Sequence, residues 1–113
     1  MPSLADQSLE PCTNSSTALT NEGINQYLTQ LDNWQVNNEK DTIQITKIFV
    51  IKNYTRALTF TNNIAELAEQ ENHHPKICIE WGKVTVSWWT HTLNGLFIND
   101  FIMAARCDDL FAE

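Results

Sequence analysis

Apolar and polar residues alternate on both sides of Gly82, from Ile77 to Trp88, and nothing else in this 113-residue chain restricts its fold as much. Ile77, Ile79 and Trp81 interleave with Cys78 and Glu80; Val84, Val86 and Trp88 interleave with Thr85 and Ser87. A period of two belongs to a half-buried strand, not to a helix. Two such runs meeting at a glycine predict an antiparallel hairpin over 76–90. Matching apolar face to apolar face sets Trp81 opposite Val84, Ile79 opposite Val86 and Ile77 opposite Trp88. Gly82-Lys83 is then the turn, with glycine supplying the positive φ of a type II′ loop. A slip of one residue would turn one strand's apolar side chains into water, so the face of each strand is well specified. Carried outward, this register brings His74 opposite His91, with Pro75, which has no N–H, expected to end the first strand early.

The rest of the chain supplies partners for that hairpin. Thr20 is expected to cap a helix through about Leu31, with Ile24, Tyr27, Leu28 and Leu31 on one face. An extended segment starts at Trp34, a polar turn covers Asn37–Lys40, and Ile43, Ile45, Phe49 and Ile51 mark one face of a longer strand. Ile48 and Val50 on its other face point to burial by another layer or subunit. Asn53 caps a helix to about Glu71, with Leu58, Ala65, Ala68, Tyr54, Phe60, Ile64 and Leu67 as a broad apolar surface. A last helix starts near Phe97 and ends near Phe111, turning Phe97, Phe101, Ile102, Ala105 and Leu110 inward. The order helix, hairpin, helix, hairpin, helix predicts an α+β two-layer sandwich: a four-stranded antiparallel sheet with three helices packed on one face. Residues 1–19, rich in Ser, Pro, Asn and Thr without periodicity, read as a flexible or surface-laid arm, and 20–113 as a single domain.

Seven basic residues against fourteen acidic ones give a formal net charge of -7, with no basic stripe, which argues against direct nucleic-acid binding. Three cysteines without CxxC spacing argue against a disulfide-stapled secreted domain. With no membrane-length apolar run and no apolar leader pattern, a cytoplasmic location without membrane attachment is the expectation. Four tryptophans, at positions 34, 81, 88 and 89, favour self-association. Trp88 and Trp89 must point to opposite faces of a regular strand, one into the core and the other over a helix, a subunit contact or a pocket.

His73, His74 and His91 are brought by the hairpin to one end of the sheet, where imidazoles can carry a proton in either direction near neutral pH. Clustered histidines also suit a metal. Adjacent His73 and His74 diverge in most backbones, and HExxH or closely spaced cysteines are missing, so metal ligation is the weaker reading. Glu69, one helical turn before His73, is placed to orient an imidazole or to stay solvated. Asp100, near the start of the last helix, is placed to stabilise that first turn or to bond a histidine or a ligand amide.

Glu69-Gln70-Glu71-Asn72-His73-His74-Pro75, then Gly82-Lys83-Val84-Thr85-Val86, then Thr90-His91, Gly95-Leu96 and Asp100, with Trp34 after the first helix, carry a resemblance. Over about residues 20–111 the chain resembles the pterin-4a-carbinolamine dehydratases, known in animals also as the dimerization cofactor of a homeodomain transcription factor. The resemblance implies a hydro-lyase that dehydrates 4a-hydroxytetrahydropterin to quinonoid dihydropterin in tetrahydropterin recycling. It implies catalytic roles for His73, His74 and His91, the first and last as proton-transfer groups. It implies substrate-binding or orienting roles for Glu69, Pro75, Trp34, Thr90, Asp100 and Asn99, with Trp34 walling the pocket. Neither metal nor cofactor is implied, the reduced pterin being the substrate, and the expected assembly is a homodimer or homotetramer with room for a protein partner. Three positions depart from the pattern: Asn99 where a basic residue is common, Phe97 where a small hydroxyl residue caps the last helix, and Thr92 where an acidic residue is common. A non-catalytic protein-binding or assembly factor on the same scaffold is the alternative, and another carbonyl or enamine acid-base enzyme is a third.

Overall fold

The computed structural model describes residues 3–13 and 15–112. Four strands, β1 (Gln35–Glu39), β2 (Thr42–Ile51), β3 (Lys76–Glu80) and β4 (Gly82–Trp88), form one antiparallel sheet in the order β1-β2-β4-β3. Three helices, α1 (Asn21–Leu28), α2 (Tyr54–Glu71) and α3 (Ile98–Ala112), accompany it. This is the expected α+β architecture. Ile45 and Phe49 of β2 and Val84, Val86 and Trp88 of β4 are buried on the face that α2 and α3 cover, and α1 packs on α3.

Helix starts follow the capping residues. Thr20 Oγ1 accepts from Gly23 N–H at 3.2 Å, and Asn53 Oδ1 accepts from Arg56 N–H at 3.0 Å, each satisfying an amide that the helix cannot. The buried stripe of α2 is Ala57, Phe60, Ile64 and Ala68, a narrower set than the sequence suggests. Tyr54 and Leu58 are exposed at 48% and 46%, and Ala65 is exposed too, because a helix turns only one stripe to a sheet.

The second hairpin keeps its predicted faces but not its predicted register. Ile79 pairs with Val84, Ile77 with Val86 and Glu80 with Lys83, a shift of two residues that makes Trp81-Gly82 the turn. Alternation fixes which face a residue takes and is blind to a slip of two. With Glu80 paired to Lys83, Gly82 takes the second central position of the turn, where its φ of +97° suits a type II turn, instead of the first position of a type II′ turn. Trp81 is left in the turn and exposed, and His74 is no longer opposite His91. The pairing of β3 starts at Lys76, directly after Pro75. In the first hairpin Asn37 and Asn38 are strand residues paired with Gln44 and Ile43, and the turn is Lys40-Asp41, both at positive φ. Their position on an edge strand lets these polar side chains stay in water.

Ile48 and Val50 lie on the face without helices and are exposed in the single chain. Helix α3 is buried almost all round in its first two turns, Asn99 through Ala104, because residues 3–13 pass over it. A short 3-10 turn, Leu4–Asp6, buries Leu4 in the core, and Arg106 donates to the Ala5 and Gln7 carbonyls at 3.2 and 2.7 Å. Further on, Leu19 N–H bonds the Leu96 carbonyl at 2.8 Å. Among the described residues no helix is long and apolar enough to cross a membrane.

Candidate active site

Two chain reversals deliver the histidines. Helix α2 ends in Asn72, whose left-handed conformation (φ 51°, ψ 43°) is one that asparagine tolerates, and His73 N–H closes back on the Ala68 carbonyl at 3.1 Å. At the other side β4 gives way to Thr90, whose N–H bonds the Gly95 carbonyl at 2.8 Å, pinching off a small loop. That loop holds a 3-10 turn, His91–Leu93, closed by Asn94 at φ 48°.

Asp100 joins the two. It is fully buried, and its Oδ2 accepts from the Thr90 hydroxyl at 2.8 Å and from Phe97 N–H at 2.9 Å. Its Oδ1 lies 2.7 Å from His73 Nε2. Phe97 has no hydroxyl with which to cap α3, and the carboxylate three residues later reaches back to its amide, half of a capping box. Capping and histidine binding are thus both done by one side chain. As a carboxylate Asp100 only accepts, so it fixes a proton on His73 Nε2 and leaves Nδ1 as the nitrogen free to take one up.

The rings rest on indoles. His73 stacks on Trp88 at 5.5 Å and 16°, and His91 stacks on Trp89 at 4.6 Å and 28°. As expected, one tryptophan is in the core and the other outside it: Trp88 is fully buried and Trp89 half-buried. His74 Nε2 meets Glu69 Oε1 at 2.6 Å, on the exposed side, so Glu69 orients His74 and not His73. His91 Nε2 lies 3.4 Å from the His74 carbonyl.

These groups rim a cleft of about 560 Å³ lined by His73, His74, Thr90, His91 and Asn99, together with Glu71, Asn72, Thr92, Leu9, Glu10 and Cys12. The volume suits a bicyclic small molecule. Four of the sequence-derived candidates stand outside the lining. Asp100 lies behind His73, Glu69 behind His74, and Pro75 is half-buried at the start of β3. Trp34 does not wall the cleft. Its ring packs edge-on against Phe49 at 6.0 Å and its N–H donates to Asp108 Oδ2 at 3.0 Å, inside the core that β2 shares with α3. Sequence reasoning missed the ring-supporting role of Trp88 and Trp89, for which their position just before Thr90-His91 is the signal. It also missed Leu9, Glu10 and Cys12, for which no periodicity gives one.

Among the described residues no group of three or more His, Cys, Asp or Glu side chains is arranged to hold a metal ion. Burial pushes the Cys107 thiol of α3 up to about 12, so this cysteine stays a neutral packing residue and no nucleophile.

The family model described as pterin 4 alpha carbinolamine dehydratase matches residues 17–110. A protein of Vibrio vulnificus provisionally named pterin-4-alpha-carbinolamine dehydratase is 46% identical over 101 residues, covering 89% of this chain and 92% of its own length. One of Marinobacter nauticus with the same provisional name is 43% identical over 111 residues, covering 98% of this chain and all (100%) of its own. The crystal structure of a transcriptional coactivator/pterin dehydratase from Brucella melitensis superimposes with a TM-score of 0.75 at 31% identity, covering 83% of this chain and 98% of that one. A pterin dehydratase-like protein identified as a RuBisCO assembly factor in the alpha-carboxysome shares the fold, with a TM-score of 0.59 at 23% identity over 71% of this chain and 90% of that one. The chain belongs to the pterin 4 alpha carbinolamine dehydratase family.

Proposed function

We propose that this chain dehydrates a 4a-hydroxytetrahydropterin to the quinonoid dihydropterin by histidine acid-base catalysis. The observation that carries this reading is three histidines on one cleft, with His73 held on the buried carboxylate of Asp100. In the substrate one ring carbon bears both a hydroxyl and an amine nitrogen. A general acid protonates the hydroxyl, the carbon–oxygen bond breaks as the nitrogen lone pair forms a carbon–nitrogen double bond, and a base removes the ring N–H proton. Water and quinonoid dihydropterin leave with the charges balanced. His73 and His91 take the two proton-transfer roles, and His74, oriented by Glu69, positions the ring or its hydroxyl. Imidazoles serve both steps near neutral pH, so this reading needs no metal or further cofactor. It places the protein in tetrahydropterin recycling in the cytoplasm, as a homodimer or homotetramer.

A second reading is a non-catalytic protein-binding or assembly factor on the same scaffold. The observation in its favour is the uncovered sheet face carrying Ile48 and Val50, 54% and 61% exposed.

Dehydration of freshly generated carbinolamine, followed by absorbance with purified protein, separates the two. Under the first reading His73→Ala and His91→Ala each lose about 100-fold in kcat. Normal turnover in both variants overturns the histidine roles. A wild-type protein that neither binds nor turns over the pterin leaves the second.

A further inference from the structure

The family match begins at residue 17, yet Leu9, Glu10 and Cys12 line the histidine cleft. Leu4 and Arg106 anchor the base of this segment, as described above. Its tip is held by Asn99, a side chain only 6% exposed. Asn99 Oδ1 accepts from Glu10 N–H at 2.7 Å, and its Nδ2 donates to the Glu10 carbonyl at 2.8 Å. Both peptide groups of one residue are thereby taken, as a paired residue on a neighbouring strand would take them. Past that point Cys12 Sγ comes within 3.6 Å of Thr92 Oγ1, in the loop that carries His91.

We propose that Leu9–Cys12 is a fixed wall of the pterin cleft and that Asn99 is the positioning residue that sets it. The proposal rests on the reading of the cleft as a reduced-pterin site. Asn99 and Asp100 are consecutive on the first turn of α3, so one helical turn holds the wall with one side chain and His73 with the next. Only an amide satisfies Glu10 completely. A cation in its place could serve the carbonyl alone, and a carboxylate the N–H alone. At position 99 the amide therefore acts as a backbone clamp, and the ligand meets chain segment 9–12 on that side. A wall of this kind binds ground state and transition state alike, so its loss raises KM and spares kcat.

Asn99→Ala removes both bonds, and Asn99→Asp keeps the acceptor while setting a carboxylate against the Glu10 carbonyl. Leu4 and Arg106 stay in place in both, and thermal unfolding checks that the variants are folded. KM for the carbinolamine is expected to rise about tenfold in each, with kcat within about twofold of wild type. In wild type, 7,8-dihydropterin is expected to slow alkylation of Cys12 by iodoacetamide and to leave the exposed Cys78 of β3 unaffected. In Asn99→Ala, Cys12 is expected to react at the same rate with and without it. An unchanged KM in folded variants of an active wild type, or dihydropterin that binds without slowing Cys12, overturns the wall alone. A wild-type protein that neither binds dihydropterin nor turns over the carbinolamine overturns the pterin reading and the wall with it.

Discussion

His73 Nε2 lies 2.7 Å from Asp100 Oδ1, and the carboxylate that receives it is shut off from solvent. With the Thr90 hydroxyl and Phe97 N–H on the other oxygen, Asp100 ties together the end of α2, the end of β4 and the start of α3. Asp100→Ala leaves three donors without an acceptor and is expected to lower the unfolding free energy by about 3 kcal/mol in urea titration. Asp100→Asn keeps the shape but presents an NH2 to groups that donate. It is expected to remain folded while kcat falls about 100-fold, through the wrong His73 tautomer.

The two indoles separate stability from placement. Trp88 is fully buried, and Trp88→Ala is expected to cost about 3–5 kcal/mol of stability. Trp89 is half-buried and carries His91 on its face at 4.6 Å. Trp89→Ala is expected to cost about 1 kcal/mol for the lost stack and to lower kcat about tenfold by freeing the imidazole. Chemical denaturation and steady-state kinetics on the two variants check the contrast.

Gly82 isolates backbone conformation. Its φ is +97° and an added Cβ would meet no atom within 4 Å, so Gly82→Ala carries strain without a clash. The expected cost is about 1–2 kcal/mol in unfolding free energy with kcat/KM unchanged, since the turn lies at the hairpin end away from the histidines.

Cys107 makes stability depend on alkaline pH. Its thiol is raised from 9.0 to about 12 in the folded chain, chiefly by burial, so the unfolded chain gives up its proton first. The stability held by the neutral thiol is complete below the ordinary value and is lost as pH climbs from 9.0 towards about 12. Urea unfolding across that window is expected to slope downward, and Cys107→Ala to flatten part of the slope. Native alkylation at neutral pH should reach Cys12 and Cys78, which are exposed, and spare Cys107.

Local signals carried much of the fold. Thr20 and Asn53 could be read as caps because the amides they satisfy lie three residues ahead in sequence. The faces of β3 and β4 could be read from alternation, but the register could not, since a two-residue shift preserves every face and keeps Gly82 in the turn at positive φ either way. At the site, clustering of the three histidines followed from connectivity. The pairing of Glu69 with His74 instead of His73 depended on how the chain leaves α2 at Asn72, which composition does not encode. Trp34 was misplaced because a large ring fits a core and a pocket wall equally well, and its contacts with Phe49 and Asp108 are distant in sequence. The segment 9–12 reaches the cleft through a bond spanning 89 positions, from Glu10 to Asn99, with no periodic pattern to announce it.

Strand β4 is flanked by β2 on one side and β3 on the other, and it runs straight into Thr90 and His91. Every amide along it is therefore among the last to exchange with solvent, and the rim it supports has no soft hinge on that side. Heating should leave ligand capture intact up to the cooperative melt and abolish it there in a single step, with no inactive but folded intermediate in between.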